Sequence, residues 1–207
     1  MIKRLTSYRC SRLAVVTVTM AMQAVVAAIG ATPAFASYPY YVNSLADTVS
    51  ADGLCTLREA MLAAANQSGG DCGPGSAEFD TIHILVPGTI ALAGELPVIA
   101  EGVAILGYDS GGTTIDGNSR VRPFVISGSG QLSSVIVRLE KLTITNGKAP
   151  NGNVTSPRGE DGGAIHNTAQ LHLRDVRITH SAAGNGGGGV GEGGHGGAIY
   201  NAGAIIA

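Results

Sequence analysis

Gly162-Gly163-Ala164-Ile165-His166-Asn167 returns 34 residues later as Gly196-Gly197-Ala198-Ile199-Tyr200-Asn201. Upstream, Leu139, Leu142 and Ile144 correspond to Leu173, Val176 and Ile178 at the same offset. Two separate segments that share one offset mark an internal repeat. Each copy is a unit that buries its apolar side only by stacking on the next. The unit is long because each copy carries a loop, 147–161 in the first and 183–195 in the second. Alternation turns Leu171, Leu173, Val176 and Ile178 inward and His172, Arg174 and Arg177 outward. Gly162, Gly163, Gly196 and Gly197 read as repeat turns, and Asn167 and Asn201 as turn residues able to stack in a ladder.

From Ile82 onward, short β-rich pieces alternate with glycine or polar turns. Strands are expected at 82–86, 89–92, 103–106, 113–116, 124–127, 134–137, 142–145, 171–173 and 176–179. Pieces of about four residues are short for ordinary sandwich strands. They fit the sides of a coil whose turns pair with one another. The pieces beginning at Val103 and Phe124 lie 21 residues apart and read as one coil. The composition agrees: 31 glycines in 207 residues, no Trp and only 4% aromatics call for a core of repeated thin layers. A hydrophobic content of 44% excludes a disordered polar chain. The lack of a G-x-y period excludes collagen. A net charge of -2 without a basic patch gives no support to nucleic-acid binding.

Residues 1–36 read as an export signal. Lys3, Arg4, Arg9 and Arg12 precede an apolar run from Leu13 to Ile29, and Ala34-Phe35-Ala36 is a small-x-small cleavage site. The run is interrupted by Gln23 and is short for a stable membrane span, so no transmembrane span is expected in the mature chain. Cleavage removes Cys10 and leaves Cys55 and Cys72. Two cysteines in an exported chain are expected to pair. Closing a loop of this size is worth about 3 kcal/mol in the chain-entropy model. Two cysteines without a nearby His give no support to a metal site.

Residues 37–81 read as a cap. Tyr40-Tyr41-Val42-Asn43-Ser44 suits a strand. Thr56 and Glu59 have capping-box spacing, in which each side chain satisfies a free N–H at a helix start. Leu57, Ala60, Met61 and Ala64 make one apolar face, and Asn66 with Gly69-Gly70 stops the helix. So short a helix is marginal alone and must dock. Cys55-Thr56-Leu57-Arg58-Glu59-Ala60, preceded by Tyr41-Val42-Asn43-Ser44 and Ala46-Asp47-Thr48, resembles the CSLREA domain, with Thr in place of Ser at the second position. The resemblance covers about Tyr40 to Ile84. It implies export and a right-handed parallel β-helix downstream, and it carries no catalytic residues. The repeated Gly-Gly-Ala-Ile element also resembles the GGAI repeats of polymorphic outer-membrane proteins, which are surface β-helices. Their Phe-x-x-Asn partner is incomplete here: Asn146 lacks the Phe, and His180 replaces the Asn in the next copy.

The expected fold is therefore all-β, a right-handed parallel β-helix (solenoid) over 82–207 with a short N-terminal capping helix. The expected place is outside the cell or on the cell-envelope surface. The expected role is adhesion or binding of glycan or protein, with the exposed loops as the binding surface. No catalytic residue is assigned. The alternative is a β-helix polysaccharide lyase or glycoside hydrolase, which needs carboxylates on adjacent coils. Asp109, Asp116, Glu160, Asp161 and Asp175 are the candidates, and only Glu160 and Asp161 are neighbours. No cofactor is expected: 189–194 matches G-x-G-x-x-G without the flanking strand and helix, and reads as a flexible loop. Its likeness to a calcium repeat is a single copy with Glu192 in place of Asp. His166 stands where Tyr200 stands in the next copy, which suggests stacking rather than metal binding. Ile205-Ile206-Ala207 ends inside a strand pattern with no visible cap. The expectation is a fragment of a longer protein, or end-on association through the last coil.

Overall fold

A computed structural model describes residues 39–66, 70–73, 79–109 and 112–207. The signal expected at 1–36, and Gly69 of the expected helix stop, lie outside the described residues.

Strands dominate, and every strand pairing among the described residues is parallel. The larger sheet contains β1 (Pro39–Val42), β2 (Asp80–Ile84), β3 (Gly88–Ala91), β4 (Val103–Leu106), β5 (Thr113–Asp116) and β7 (Ile136–Thr145), in the order β1-β2-β4-β7-β5-β3. Strand β9 (Gln170–Thr179) pairs with β7, and β11 (Ala204–Ile206) with β9. The smaller sheet runs β10-β8-β6, with β6 at Phe124–Ile126, β8 at Ile165–Asn167 and β10 at Ile199–Asn201. The single α-helix among the described residues, α1, is Leu57–Asn66.

The register stacks like positions on like. Tyr40, Ile82, Ile105, Leu139 and Leu173 form one inward row across β1, β2, β4, β7 and β9. Ile90, Ile115, Ile144 and Ile178 form a second across β3, β5, β7 and β9. Phe124, Ile165 and Ile199 form a third across the smaller sheet. Most of these side chains are fully buried. Burial of each such chain is worth about 1.5–3 kcal/mol, so the rows carry the core.

Several sequence expectations are corrected. The pieces at 134–137 and 142–145 are joined in one strand, β7, which begins only at Ile136, and those at 171–173 and 176–179 belong to β9. Lys141 (φ 56°) and Asp175 (φ 53°) bend the two strands at equivalent points. A left-handed residue turns the strand without ending its pairing, and Lys at that point gives no sequence signal. Val103 and Phe124 are not on one stack. Strand β4 pairs with β2 and β7, whereas β6 lies in the other sheet against β8. The 21-residue spacing fails because the connections differ in length from one strand to the next. Asn167 and Asn201 close the strands β8 and β10 rather than forming turns.

The N-terminal cap is built as its residues demand. Glu59 Oε2 accepts from Thr56 N at 2.9 Å while Thr56 Oγ1 accepts from Glu59 N at 3.2 Å. Each group satisfies one free donor of the first helical turn. Cys55 and Cys72 form a disulfide. Arg58 ties α1 to the loop after β3. Its Nε and Nη2 each donate to the Asp47 carboxylate at 2.8 Å, and its guanidinium also reaches Gly94 O and Glu95 O. Asp47 accepts from Ala93 N as well.

The loops 147–161 and 183–195, the second holding the stretch read as flexible, are packed. Four extended segments, 148–153, 156–162, 182–187 and 191–195, lie side by side. Ala149 N and Gly152 N donate to Ala182 O and Asn185 O. Gly159 N and Gly162 N donate to Glu192 O and His195 O. Gly184 N and Gly187 N donate to Glu160 O and Pro157 O, and Gly191 N and Gly194 N to Gly187 O and Gly184 O. In each of these four sets the bonds recur every third residue. Three residues per turn is the period of a polyproline II helix, which has no internal hydrogen bonds and so offers its backbone to neighbours. The segments approach backbone to backbone: a Cβ on Gly184 would overlap Pro150 O, and one on Gly194 would overlap Glu160 O. The stretch 189–194 is therefore a turn and a bonded segment rather than a loose loop.

Candidate functional site

One side of this glycine bundle walls a cleft of about 310 Å³, lined by Arg122, Val125, Ser156, Arg158, Gly159, Glu160, Asp161 and His166. Val125 and His166 come from β6 and β8, where the register places Val125, His166 and Tyr200 in one outward row. The His166 and Tyr200 rings stack with centroids 5.0 Å apart and planes 22° apart. The other wall comes from the bundle, whose backbone bonds through Gly159, Glu160 and Gly162 fix where Arg158, Glu160 and Asp161 stand.

The charged groups are paired. Arg122 arrives from the turn before β6 and is 6% exposed. Its Nη1 donates to Asp161 O and its Nη2 to Glu160 Oε2, both at 2.7 Å. Its Nε is enclosed without a partner among the described residues. Arg158 clasps the Asp161 carboxylate with Nη2 at 2.6 Å and Nη1 at 3.2 Å. The same Nη2 lies 2.6 Å from His195 Nδ1. Burial works against the Asp161 carboxylate, but the His195 N–H and the Arg158 guanidinium outweigh it and hold its pKa below the ordinary value. Burial, then the nearby Arg122 cation, lowers the pKa of His166, so the stacked ring is neutral at neutral pH.

The remaining residues singled out from sequence serve the stack. Asn167 Nδ2 donates to Asn201 Oδ1 at 2.6 Å, and each Oδ1 accepts a backbone N–H two residues on. Gly162 and Gly196 both hold left-handed backbone, at φ 71° and 67°. Gly163 N donates to Gly196 O and Gly197 O in the next copy. Of the candidate carboxylates, Glu160 and Asp161 meet in the cleft. Asp116 instead accepts from Asn118 N and Asn146 Nδ2 in a turn, and Asp175 is the bend of β9. No group of three or more His, Cys, Asp or Glu able to hold a metal occurs among the described residues. No helix among them is long and apolar enough to cross a membrane.

Sequence reasoning missed Arg122 and Arg158, and it gave His195 no role. One signal was available: Asp161 and His195 each precede a Gly-Gly pair, so the repeat offset stacks them. Nothing in the sequence brings Arg122 to Glu160. No family model, curated protein or solved structure matches this chain.

Proposed function

We propose that the chain is a secreted or cell-surface right-handed parallel β-helix that binds glycan on its flank. Uniformly parallel pairing, three stacked inward rows and a 34-residue repeat support the coil. The disulfide and the resemblance to the CSLREA domain support export. The observation that carries the binding role is the cleft. A flat neutral ring on a stacked column stands beside Arg158, Glu160, Asp161 and Ser156. Flat rings take the C–H face of a sugar, while carboxylates, guanidinium and hydroxyl groups take its hydroxyls. The test is a glycan array probed with the disulfide-intact chain and with His166→Ala. Retention of a glycan by the first and its loss by the second supports the role. Retention of no glycan refutes it.

The hydrolase reading has one observation in its favour: Glu160 and Asp161 both line the cleft, and the Glu160 side chain is half exposed. Glu160 is then the group that exchanges a proton with the glycosidic oxygen. Release of reducing ends from a polysaccharide, abolished in Glu160→Gln, supports that reading. Binding without release, unchanged over days, rejects it.

A further inference from the structure

Resting on the glycan-binding reading, we infer that the cleft selects an uncharged pyranose chain and discriminates against uronates and amino sugars. The reason is how its charges are spent. Both terminal nitrogens of Arg122 are committed, one to Asp161 O and one to Glu160 Oε2. Its Nε is enclosed, so this cation has no face to offer a ligand carboxylate. Arg158 holds Asp161 through two nitrogens and His195 through one. The cleft thus contains two cations and two anions, each tied to its opposite. His166 adds no charge, because burial and Arg122 disfavour its protonation.

An anionic sugar entering this cleft finds Glu160 and Asp161 already holding the guanidiniums. To be held, it must displace one of them, which leaves a carboxylate without its partner. For Asp161, whose side chain is 11% exposed, that penalty is the larger. A cationic sugar finds both carboxylates already bonded to arginines, and the open edge of Glu160 lies beside the Arg122 cation. A neutral sugar needs neither exchange. Glu160 Oε1 has no hydrogen-bond partner among the described residues, its side chain is half exposed, and Ser156 supplies a hydroxyl. The paired ions keep spare hydrogen-bonding positions for hydroxyl groups. The cleft volume of about 310 Å³ lies at the low end for small-molecule sites, which fits a short stretch of chain rather than a branched ligand.

The experiment is isothermal titration of the disulfide-intact protein with cellohexaose, maltohexaose, xylohexaose, mannohexaose, hexagalacturonate and hexaglucosamine, each at 50 and 500 mM NaCl. The expected result is binding of at least one neutral hexamer, at least about tenfold tighter than either charged one. Its affinity should change less than about twofold between the two salts, because no net charge is screened. His166→Ala should weaken that binding about tenfold, and His166→Tyr, the residue of the next copy, should restore it. Tightest binding to hexagalacturonate, with affinity falling as salt rises, leaves the glycan site standing and overturns its selectivity for neutral chains. Equal binding to all hexamers also overturns that selectivity. Binding to none of them, together with an empty glycan array, overturns the site itself.

Discussion

Replacing Gly184 by alanine tests whether the glycine-rich segments form a bonded bundle. A Cβ at Gly184 would overlap Pro150 O and stand 2.6 Å from Glu160 N, where ordinary contact begins at 3.4 Å. Both obstacles are backbone, so no side chain can swing aside. The segments must part by roughly 1 Å, which takes three hydrogen bonds out of range. These are Glu160 N to Pro150 O at 2.9 Å, Gly184 N to Glu160 O at 2.8 Å and Gly194 N to Gly184 O at 2.8 Å. At about 1 kcal/mol each, the loss is about 3 kcal/mol. Alanine returns about 0.5 kcal/mol by restricting the unfolded chain. The net cost of about 2.5 kcal/mol lowers Tm by about 5–10 °C for a chain of this size.

Gly193→Ala is the control. Its Cβ meets only Gly184 O, at 3.5 Å, which is ordinary contact. That variant should melt within about 2 °C of the parent. Differential scanning calorimetry of the two variants reads the difference directly. If Gly184→Ala melts together with Gly193→Ala, the segments are loose and the bundle does not exist as described. A parallel readout is ligand affinity, because Gly184 N bonds the carbonyl of Glu160, whose carboxylate lines the cleft.

Arg58→Ala should cost about 3 kcal/mol in urea unfolding, because it strands the Asp47 carboxylate, which is 3% exposed. Arg58→Lys should recover only part, since one ammonium cannot span Asp47, Gly94 O and Glu95 O together. Cys55→Ser with Cys72→Ser should cost about 3 kcal/mol by the same measurement, since the bridge closes a loop of 17 residues. His166 contributes a pH dependence of defined sign. Its folded pKa is depressed, so the unfolded chain takes the proton first, and stability falls as pH drops below about 6.5. His166→Tyr keeps the stacked ring and removes this titration. The Tm difference between about pH 7.5 and pH 5 should shrink in that variant, and an unchanged difference would assign the effect to other groups.

The strands of the larger sheet were legible because two inward aliphatics at i and i+2 announce most of them, as in Ile82/Ile84 and Val103/Ile105. The short strands β8 and β10 were harder. Each has three residues and ends in Asn, whose turn chemistry points away from a strand. In the structure that Asn side chain satisfies backbone within its own copy and its neighbour's side chain. The bends at Lys141 and Asp175 carry no sequence signature. The bundle did carry one: Gly184/Gly187 and Gly191/Gly194 are spaced by three. That spacing was hidden by the other glycines around it.

The repeat itself separates structure from chemistry. Positions where the two copies agree, Gly162/Gly196 and Asn167/Asn201, hold backbone in a left-handed turn or bond along the stack. Asn146 and His180 differ in type yet share left-handed backbone, at φ 52° and 51°, because that point constrains conformation and tolerates either side chain. This accounts for His180 standing in the second copy where the first has Asn146. The cleft draws on positions where the copies diverge in chemistry. Arg158 stands opposite Glu192, Glu160 opposite Gly194, Asp161 opposite His195 and His166 opposite Tyr200. Stacking unlike residues at one register puts the Asp161 carboxylate on the backbone N–H of His195 and an imidazole against a phenol ring. Two identical copies would place Asp161 on a second carboxylate and expel it. Divergence at these positions is therefore what makes a stable polar site possible on a repetitive scaffold, and the positions of divergence are where binding variants should be sought.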